Sequence, residues 1–256
     1  MQYELIELHN DGEIATIIMN NPQRRNALSL KHMHELTDAF RQVGESRALG
    51  VILAANGPAF CAGHDFADAA GQDLVAMRKL LRVCTTLMDT IQEIPQPVLA
   101  RVHAIATAAG CQLVATCDLA VASTAAAFAT PGGKGGWFCT TPMVALSRNI
   151  GRKRALEMLL TGDTIGAHTA ADWGLVNRVV PPDQLVAEAQ RLLAGATRGS
   201  FLSKGIGKQA YYAQIDLPQE QAYDYAIEVM ASTSQLPDAQ EGMRSFLEKR
   251  PPRFVR

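Results

Sequence analysis

The sequence has almost no net charge, no long apolar run and no paired cysteine motif, and each lack removes a class of function. A formal charge of −1 over 256 residues provides no global field to gather nucleic acid or an anionic membrane surface. An anionic ligand has to be held by local groups instead. No stretch approaches the roughly 18 uninterrupted apolar residues of a membrane span. The five cysteines, Cys61, Cys84, Cys111, Cys117 and Cys139, are odd in number, form no C-x-x-C and sit mostly among apolar or small residues. They read as buried reduced thiols rather than a disulfide framework. The first ten residues alternate, carry Glu4 and Glu7, and lack a basic n-region, an apolar h-region and an arginine-rich presequence. The expectation is a soluble protein of a reducing, cytoplasmic setting. His32 and His34 lie two apart on a helix and face different directions, so no metal is implied. The runs Gly132–Gly136 and Gly205–Lys208 lack the spacing of a phosphate loop.

What is present is an ordinary globular composition, 48% hydrophobic and 19% charged, sufficient for one large core with a helical appendage. Tyr3–Leu8 and Glu13–Met19 read as strands joined by a turn at Asn10-Asp11-Gly12. Ser29 is a candidate N-cap for a helix presenting Leu30, Met33, Leu36, Phe40 and Val43 on one face. A buried strand at Gly50–Ala55 leads into a loop over Asn56–Phe66. A long helix follows, striped by Leu74, Met77, Leu81, Cys84, Met88 and Ile91 and ended by Pro95 and Pro97. The unit recurs as strand Val98–His103, a small-residue turn, a helix through Gln112 to Cys117, and strand Leu119–Ala122. Repetition of strand, strand, helix points to a spiral of ββα units rather than a doubly wound sheet. Beyond about residue 182 the strand signals cease, and helices are expected at Asp183–Ala196, Phe201–Gln214, Pro218–Ser234 and Asp238–Lys249. Four helices on so short a segment make little core of their own. They are expected to pack on the spiral or on a neighbouring subunit, giving a division into 1–182 and 183–256.

Several segments, in order, carry a resemblance. Asn20-Asn21-Pro22-Gln23-Arg24-Arg25-Asn26-Ala27-Leu28-Ser29, Ala59-Phe60-Cys61-Ala62-Gly63-His64-Asp65-Phe66 and His103-Ala104-Ile105-Ala106-Thr107-Ala108-Ala109-Gly110-Cys111-Gln112-Leu113 are similar to motifs of the crotonase (enoyl-CoA hydratase/isomerase) superfamily. Glu157–Gly162, Gly174–Val180 and Glu241–Arg250 continue the match. The resemblance implies an α/β crotonase-like spiral with a C-terminal helical trimerisation region, in a homotrimer or a hexamer built as a dimer of trimers. It implies a lyase-type enzyme of fatty acid metabolism that acts on an acyl-CoA and needs no cofactor beyond the CoA moiety. Two backbone N–H groups, of His64 and of Ala109 (or Gly110 beside it), would form an oxyanion hole for the thioester enolate. Small residues at Ala62, Gly63, Ala108, Ala109 and Gly110 would let the thioester approach the backbone. Arg24 and Arg25 fall where the family holds CoA phosphates, Ala27 where its backbone meets adenine, and Lys249 within reach of the nucleotide. Asp65 is expected to order its loop.

One departure bears on the chemistry. Hydratases of this family move protons with two glutamates. Their positions are Gln112 and, after Pro131, Gly132. No Asp or Glu occurs between Asp118 and Glu157, so no shift of alignment restores them. Near the expected pocket remain His64, Gln112, Trp137, Cys139, Thr140 and Thr141. His64 is a candidate acid/base or a plain loop histidine, Cys139 a candidate nucleophile or a buried thiol, and Gln112 a hydrogen-bonding group that cannot take a proton. One subgroup of the family carries the same Gln and Gly replacements. The alternatives to hydration are non-catalytic acyl-CoA binding, thioester hydrolysis and isomerisation.

Overall fold

The computed structural model describes residues 3–10 and 12–255. Asp11, in the expected turn, lies outside the described residues. Strands β1 (Ile6–His9) and β2 (Ile14–Met19) pair antiparallel, Ile6 opposite Met19. Ser29 caps α1 (Leu30–Gly44), its hydroxyl accepting from the His32 N–H. Met33, Leu36, Phe40 and Val43 are buried on that helix at helical spacing.

The chain then delivers strands in pairs. These are β3 (Gly50–Ala55) and β4 (Ala59–Cys61) before α2 (Leu74–Glu93), then β5 (Val98–Val102) and β6 (Ile105–Thr107) before α3 (Ala109–Thr116). The third pair is β7 (Leu119–Ser123) and β8 (Ala127–Ala129), before α4 (Pro142–Asn149) and α5 (Arg152–Thr161). β9 (Ile165–Gly166), α6 (Ala167–Trp173) and β10 (Arg178–Val180) close the spiral. Each turn gives one strand to a sheet ordered β1-β2-β3-β5-β7-β10 and one to a sheet ordered β4-β6-β8-β9. Two expectations are corrected here. The loop over 56–66 contains β4, and the small-residue turn after Val102 contains β6. Both strands are three residues long and pair with distant segments, β4 with β6 and β6 also with β8, so neither has a period of its own to read. The α2 stripe is met in part: Cys84, Met88 and Ile91 are buried together with Leu80 and Leu87, Met77 and Leu81 are half-buried, and Leu74 is exposed.

The main core fills the spiral. A second cluster covers the outer face of the large sheet, where Ile52, Ala54, Leu99 and Val121 meet Leu185, Ala189 and Leu193 of α7 (Leu185–Thr197). Alternation along β3 explains the split, because Val51 and Leu53 join the inner cluster. Then come α8 (Phe201–Gln214), α9 (Gln219–Thr233) and α10 (Pro237–Leu247). Lys208 of α8 is buried and saturated. Its Nζ donates to the carbonyls of Ile91 (2.8 Å) and Gln96 (2.9 Å) and pairs with Asp118 at 2.8 Å. Asp118 also accepts from the Val98 N–H and the Tyr212 hydroxyl, each at 2.7 Å. By contrast α9 buries none of its residues, leaving Tyr223, Ile227 and Met230 exposed. The last helix stops at Leu247, not Lys249, because Lys249 takes a left-handed φ of 53° beyond it. No described helix is long and apolar enough to cross a membrane.

Candidate functional site

A cavity of about 410 Å³ opens between the loop after β4, the N-terminus of α3 and the loop from β8 to α4. That volume lies in the range of small-molecule sites. Ala62, His64, Ala109, Gly132, Trp137 and Cys139 are among its walls, and none of its lining residues is an Asp or Glu.

Two turns of the spiral meet at its floor. Gly63 has a φ of +89°, and a Cβ there would stand 3.4 Å from the Ala109 nitrogen and 2.9 Å from the Ala108 Cβ. Only glycine allows that approach. Thr107 Oγ1 donates to the Ala62 carbonyl at 3.1 Å, joining the turns from the other side. Leu28 pairs with His64 as an isolated parallel bridge in which Leu28 N–H donates to Gly63 O (2.7 Å) and Asp65 N–H donates to Leu28 O (3.1 Å). The bridge uses the groups flanking His64 and leaves the His64 N–H turned to the opposite side. Ala109 is the first residue of α3, so its N–H has no acceptor within the helix. The residue before it, Ala108, has φ 49° and ψ −118°, a conformation costing about 1–3 kcal/mol for a non-glycine residue. It is pinned by its N–H donating to Ala129 O at 2.9 Å and by its carbonyl accepting from the Gln112 N–H at 3.0 Å.

His64 lies against Trp137, ring centroids 6.0 Å apart, and Trp137 against Phe66 at 6.3 Å. Both imidazole nitrogens are buried without a hydrogen-bond partner among the described residues. Burial lowers the pKa of His64, with the Leu28 backbone opposing, so the ring is neutral near pH 7. Cys139 faces the same cavity, and burial raises its thiol, with the Gly132 backbone opposing. The cavity walls carry no Lys or Arg to favour a thiolate, and their one basic side chain, His64, is kept neutral by burial.

The two positions at which the resemblance implies glutamates differ from each other. Gln112 is buried one turn along α3, is not in the cavity wall, and leaves Oε1 without a partner among the described residues. Gly132 is in the wall, but its Cβ position is taken. A methyl there would sit 2.2 Å from the Trp137 carbonyl oxygen and 2.8 Å from Cys139 Sγ. The Gly132 carbonyl accepts from the N–H groups of Gly135 (3.1 Å) and Trp137 (2.9 Å), closing a tight ring of backbone. Gly110 is likewise packed out, its Cβ position 2.3 Å from Cys61 O.

Of the residues expected at CoA, Ala62 lines the cavity and the others lie outside its wall. Arg24 is engaged elsewhere, with Nε and Nη2 donating to Asp65 at 3.2 and 2.5 Å. Burial alone would raise the Asp65 carboxyl, but hydrogen bonds from Arg24 and the Ala67 N–H hold it below its ordinary value. Arg25 is exposed with φ 52°. Ala27 is buried, and its carbonyl faces His32 Nδ1 at 3.0 Å. Lys249 is exposed beyond α10 and outside the cavity wall. Leu81, Phe66 and Phe138 also line the cavity, and their apolar type carried no chemical signal in the sequence.

A family profile described as enoyl-CoA hydratase/isomerase matches residues 9–256. The chain is 45% identical to the mouse protein "Enoyl-CoA hydratase domain-containing protein 3, mitochondrial" over 94% of this chain and 81% of that protein. A crystal structure of enoyl-CoA hydratase from Mycobacterium smegmatis superimposes with a TM-score of 0.94 at 45% identity, over 98% of both chains. The crystal structure of human enoyl-CoA hydratase domain-containing protein 3 gives 0.93 at 38% identity, over 98% of this chain and 100% of that one. The cytoplasmic expectation is corrected by these relatives, since the mouse, Xenopus laevis and human proteins are all named mitochondrial. Cysteine usage separates reducing from oxidising spaces but not one reducing space from another. With a spiral of ββα turns, a profile match running to the last residue and near-complete superposition on solved relatives, the chain belongs to the enoyl-CoA hydratase/isomerase family, the crotonase superfamily.

Proposed function

We propose that the cavity receives the acyl end of an acyl-CoA thioester and that the N–H groups of His64 and Ala109 polarise its carbonyl. The observation that carries this reading is the close approach of the two turns at Gly63 and Ala109, where neither backbone donor has an acceptor among the described residues. Negative charge developing on the thioester oxygen would be met by two fixed dipoles in an apolar cavity, with the N-terminus of α3 adding its own field. Removing one such donor typically lowers turnover by about 10²–10³-fold. Arg25, the Ala27 backbone and Lys249 are the proposed contacts of the CoA moiety, and no other cofactor is required. The exposed apolar residues of α9 and α10 are proposed to cover each other in a trimer, or in a hexamer of paired trimers. The vertebrate names point to a mitochondrial setting.

Proton transfer is where the reading departs from an ordinary hydratase. No carboxylate lines the cavity, and Gln112 does not accept a proton. His64 is the remaining acid/base candidate, and its lowered pKa makes it a weak base. Positioned acid/base groups contribute about 10²–10⁴-fold, so hydration of a short enoyl-CoA is expected to fall below ordinary hydratase rates by about that factor. This favours a second reading in which the protein binds acyl-CoA without turnover, or runs isomerisation or thioester hydrolysis. A crotonyl-CoA absorbance assay beside an acyl-CoA binding titration separates them. Saturable binding with slow hydration is expected. An ordinary hydration rate overturns the catalytic part, and absence of binding overturns the whole.

A further inference from the structure

We infer that Arg24 and Asp65 form a clasp that positions the His64 N–H, and that Arg24 is not a ligand for CoA phosphate. The inference deepens the oxyanion-hole reading and rests on it. Arg24 and Asp65 are 41 residues apart and joined in bidentate geometry, the arrangement that fixes orientation as well as charge. Asp65 Oδ1 also accepts from the Ala67 N–H at 3.0 Å, and Oδ2 accepts from Arg24 Nε, so both oxygens are committed. Backbone bonds flank the clasp: Ala62 N–H to Arg25 O at 3.0 Å, Leu28 N–H to Gly63 O and Asp65 N–H to Leu28 O. Residues 24–28 and 62–65 are thereby laced edge to edge, and His64 lies between two laced positions. Its N–H direction is set by the peptide plane shared with Gly63, whose carbonyl is one of the laced groups. The side-chain clasp closes the end of this lace next to His64.

A phosphate site needs uncompensated positive charge. Arg24 has two of its donors turned onto an adjacent carboxylate that is only 12% exposed, so the pair is close to neutral as seen by a third ion. Arg25, one residue on, is exposed and has no ion pair among the described residues. Its left-handed φ of 52° turns the chain at that point, so the two arginines need not share a direction. The free cation for the nucleotide is Arg25, and Arg24 belongs to the machinery that holds the donor.

The two roles give opposite signs in one variant. In Asp65→Asn the side-chain oxygen still accepts from Ala67 while the ion pair is lost. If Arg24 bound phosphate, freeing it would tighten CoA. If it positions, CoA affinity stays within about twofold and polarisation is lost. The probe is 4-dimethylaminocinnamoyl-CoA, a conjugated thioester whose absorbance moves to longer wavelength when its carbonyl is polarised. Wild type is expected to red-shift the bound probe. Arg24→Ala and Asp65→Asn are expected to lose most of that shift alike, with free CoA binding retained and thermal unfolding still cooperative. Amide exchange of residues 62–66 in the ligand-free protein is expected to quicken by about 3–10-fold in both variants, the size of one half-screened bidentate pair. Tighter CoA binding in Asp65→Asn, weaker CoA binding in Arg24→Ala with the red shift intact, or unchanged exchange in both overturns the clasp. A wild type that binds the probe without any shift instead sinks the oxyanion reading, and the clasp's purpose with it.

Discussion

Replacing Gly132 by glutamate would return the carboxylate that hydratases of this family carry after the proline, and the loop geometry sets the result. The first side-chain carbon alone would stand 2.2 Å from the Trp137 carbonyl oxygen, 2.8 Å from Cys139 Sγ and 3.1 Å from the Cys139 nitrogen. Backbone is the obstacle at the shortest of these contacts, so a change of rotamer gives no relief. The ring closed by Gly135 and Trp137 N–H onto the Gly132 carbonyl has to open. Overpacking of this kind costs about 1–3 kcal/mol, and the two hydrogen bonds add about 0.5–1.5 kcal/mol each. The sum is about 2–6 kcal/mol, which for a chain of this size lowers the thermal midpoint by roughly 5–20 °C. Gly132→Ala separates bulk from charge and is expected to account for most of the drop. Thermal melts of both variants, followed by crotonyl-CoA hydration below the lower midpoint, make the test. A Gly132→Glu protein that melts like wild type and hydrates briskly would refute the reasoning, because the carboxylate would then have found room that the geometry denies.

Two further outcomes concern stability. Burial lowers both His32 and His64 below the ordinary 6.5, with the Ala27 backbone and Glu35 opposing at His32 and the Leu28 backbone at His64. Both stay neutral in the fold while the unfolded chain takes up protons below about pH 6.5, so stability held above that pH is lost below it. The slope is up to about 1.4 kcal/mol per pH unit for each histidine. Urea midpoints at about pH 7.5 and pH 5 are expected to fall, and to fall less in His32→Asn, whose amide nitrogen replaces Nδ1; equal falls would exclude His32. Lys208→Met strands a buried carboxylate and two carbonyls, and is expected to cost about 3–5 kcal/mol. A denaturant midpoint close to wild type would show that the Lys208–Asp118 pair carries little of the α8 docking.

Long elements were legible in the sequence because they carry their own period. The α1 stripe and the Ser29 cap follow from local spacing, and the ββα order from its recurrence. The short strands β4 and β6 were not, since each exists only through distant partners, β4 through β6 and β6 through β4 and β8. The candidate site divides along the same line. Gly63, His64 and Ala109 stand in recognisable turns, whereas the Arg24–Asp65 and Lys208–Asp118 pairs join residues 41 and 90 positions apart and leave no local mark. In the sequence Arg24 therefore reads as a candidate phosphate contact, with no sign of its Asp65 partner. Gly132 read as a missing carboxylate, and only the folded loop reveals that Trp137 and Cys139 occupy the room a side chain would need.

The covering of the large sheet by α7 has a consequence for synthesis on the ribosome. When the chain has emerged as far as Ser123, strands β1, β2, β3, β5 and β7 are all outside the tunnel, and so are both turns that hold the backbone donors. The face bearing Ile52, Ala54, Leu99 and Val121 nevertheless stays wet until Leu185, Ala189 and Leu193 arrive, some seventy residues and about 4–14 s later at ordinary elongation rates. During that interval the growing chain displays a flat aliphatic surface next to the unfilled β7 edge, where β10 will later pair. The outer face of the sheet is therefore completed only when α7 arrives, some forty residues after Pro142, the last residue of the cavity wall.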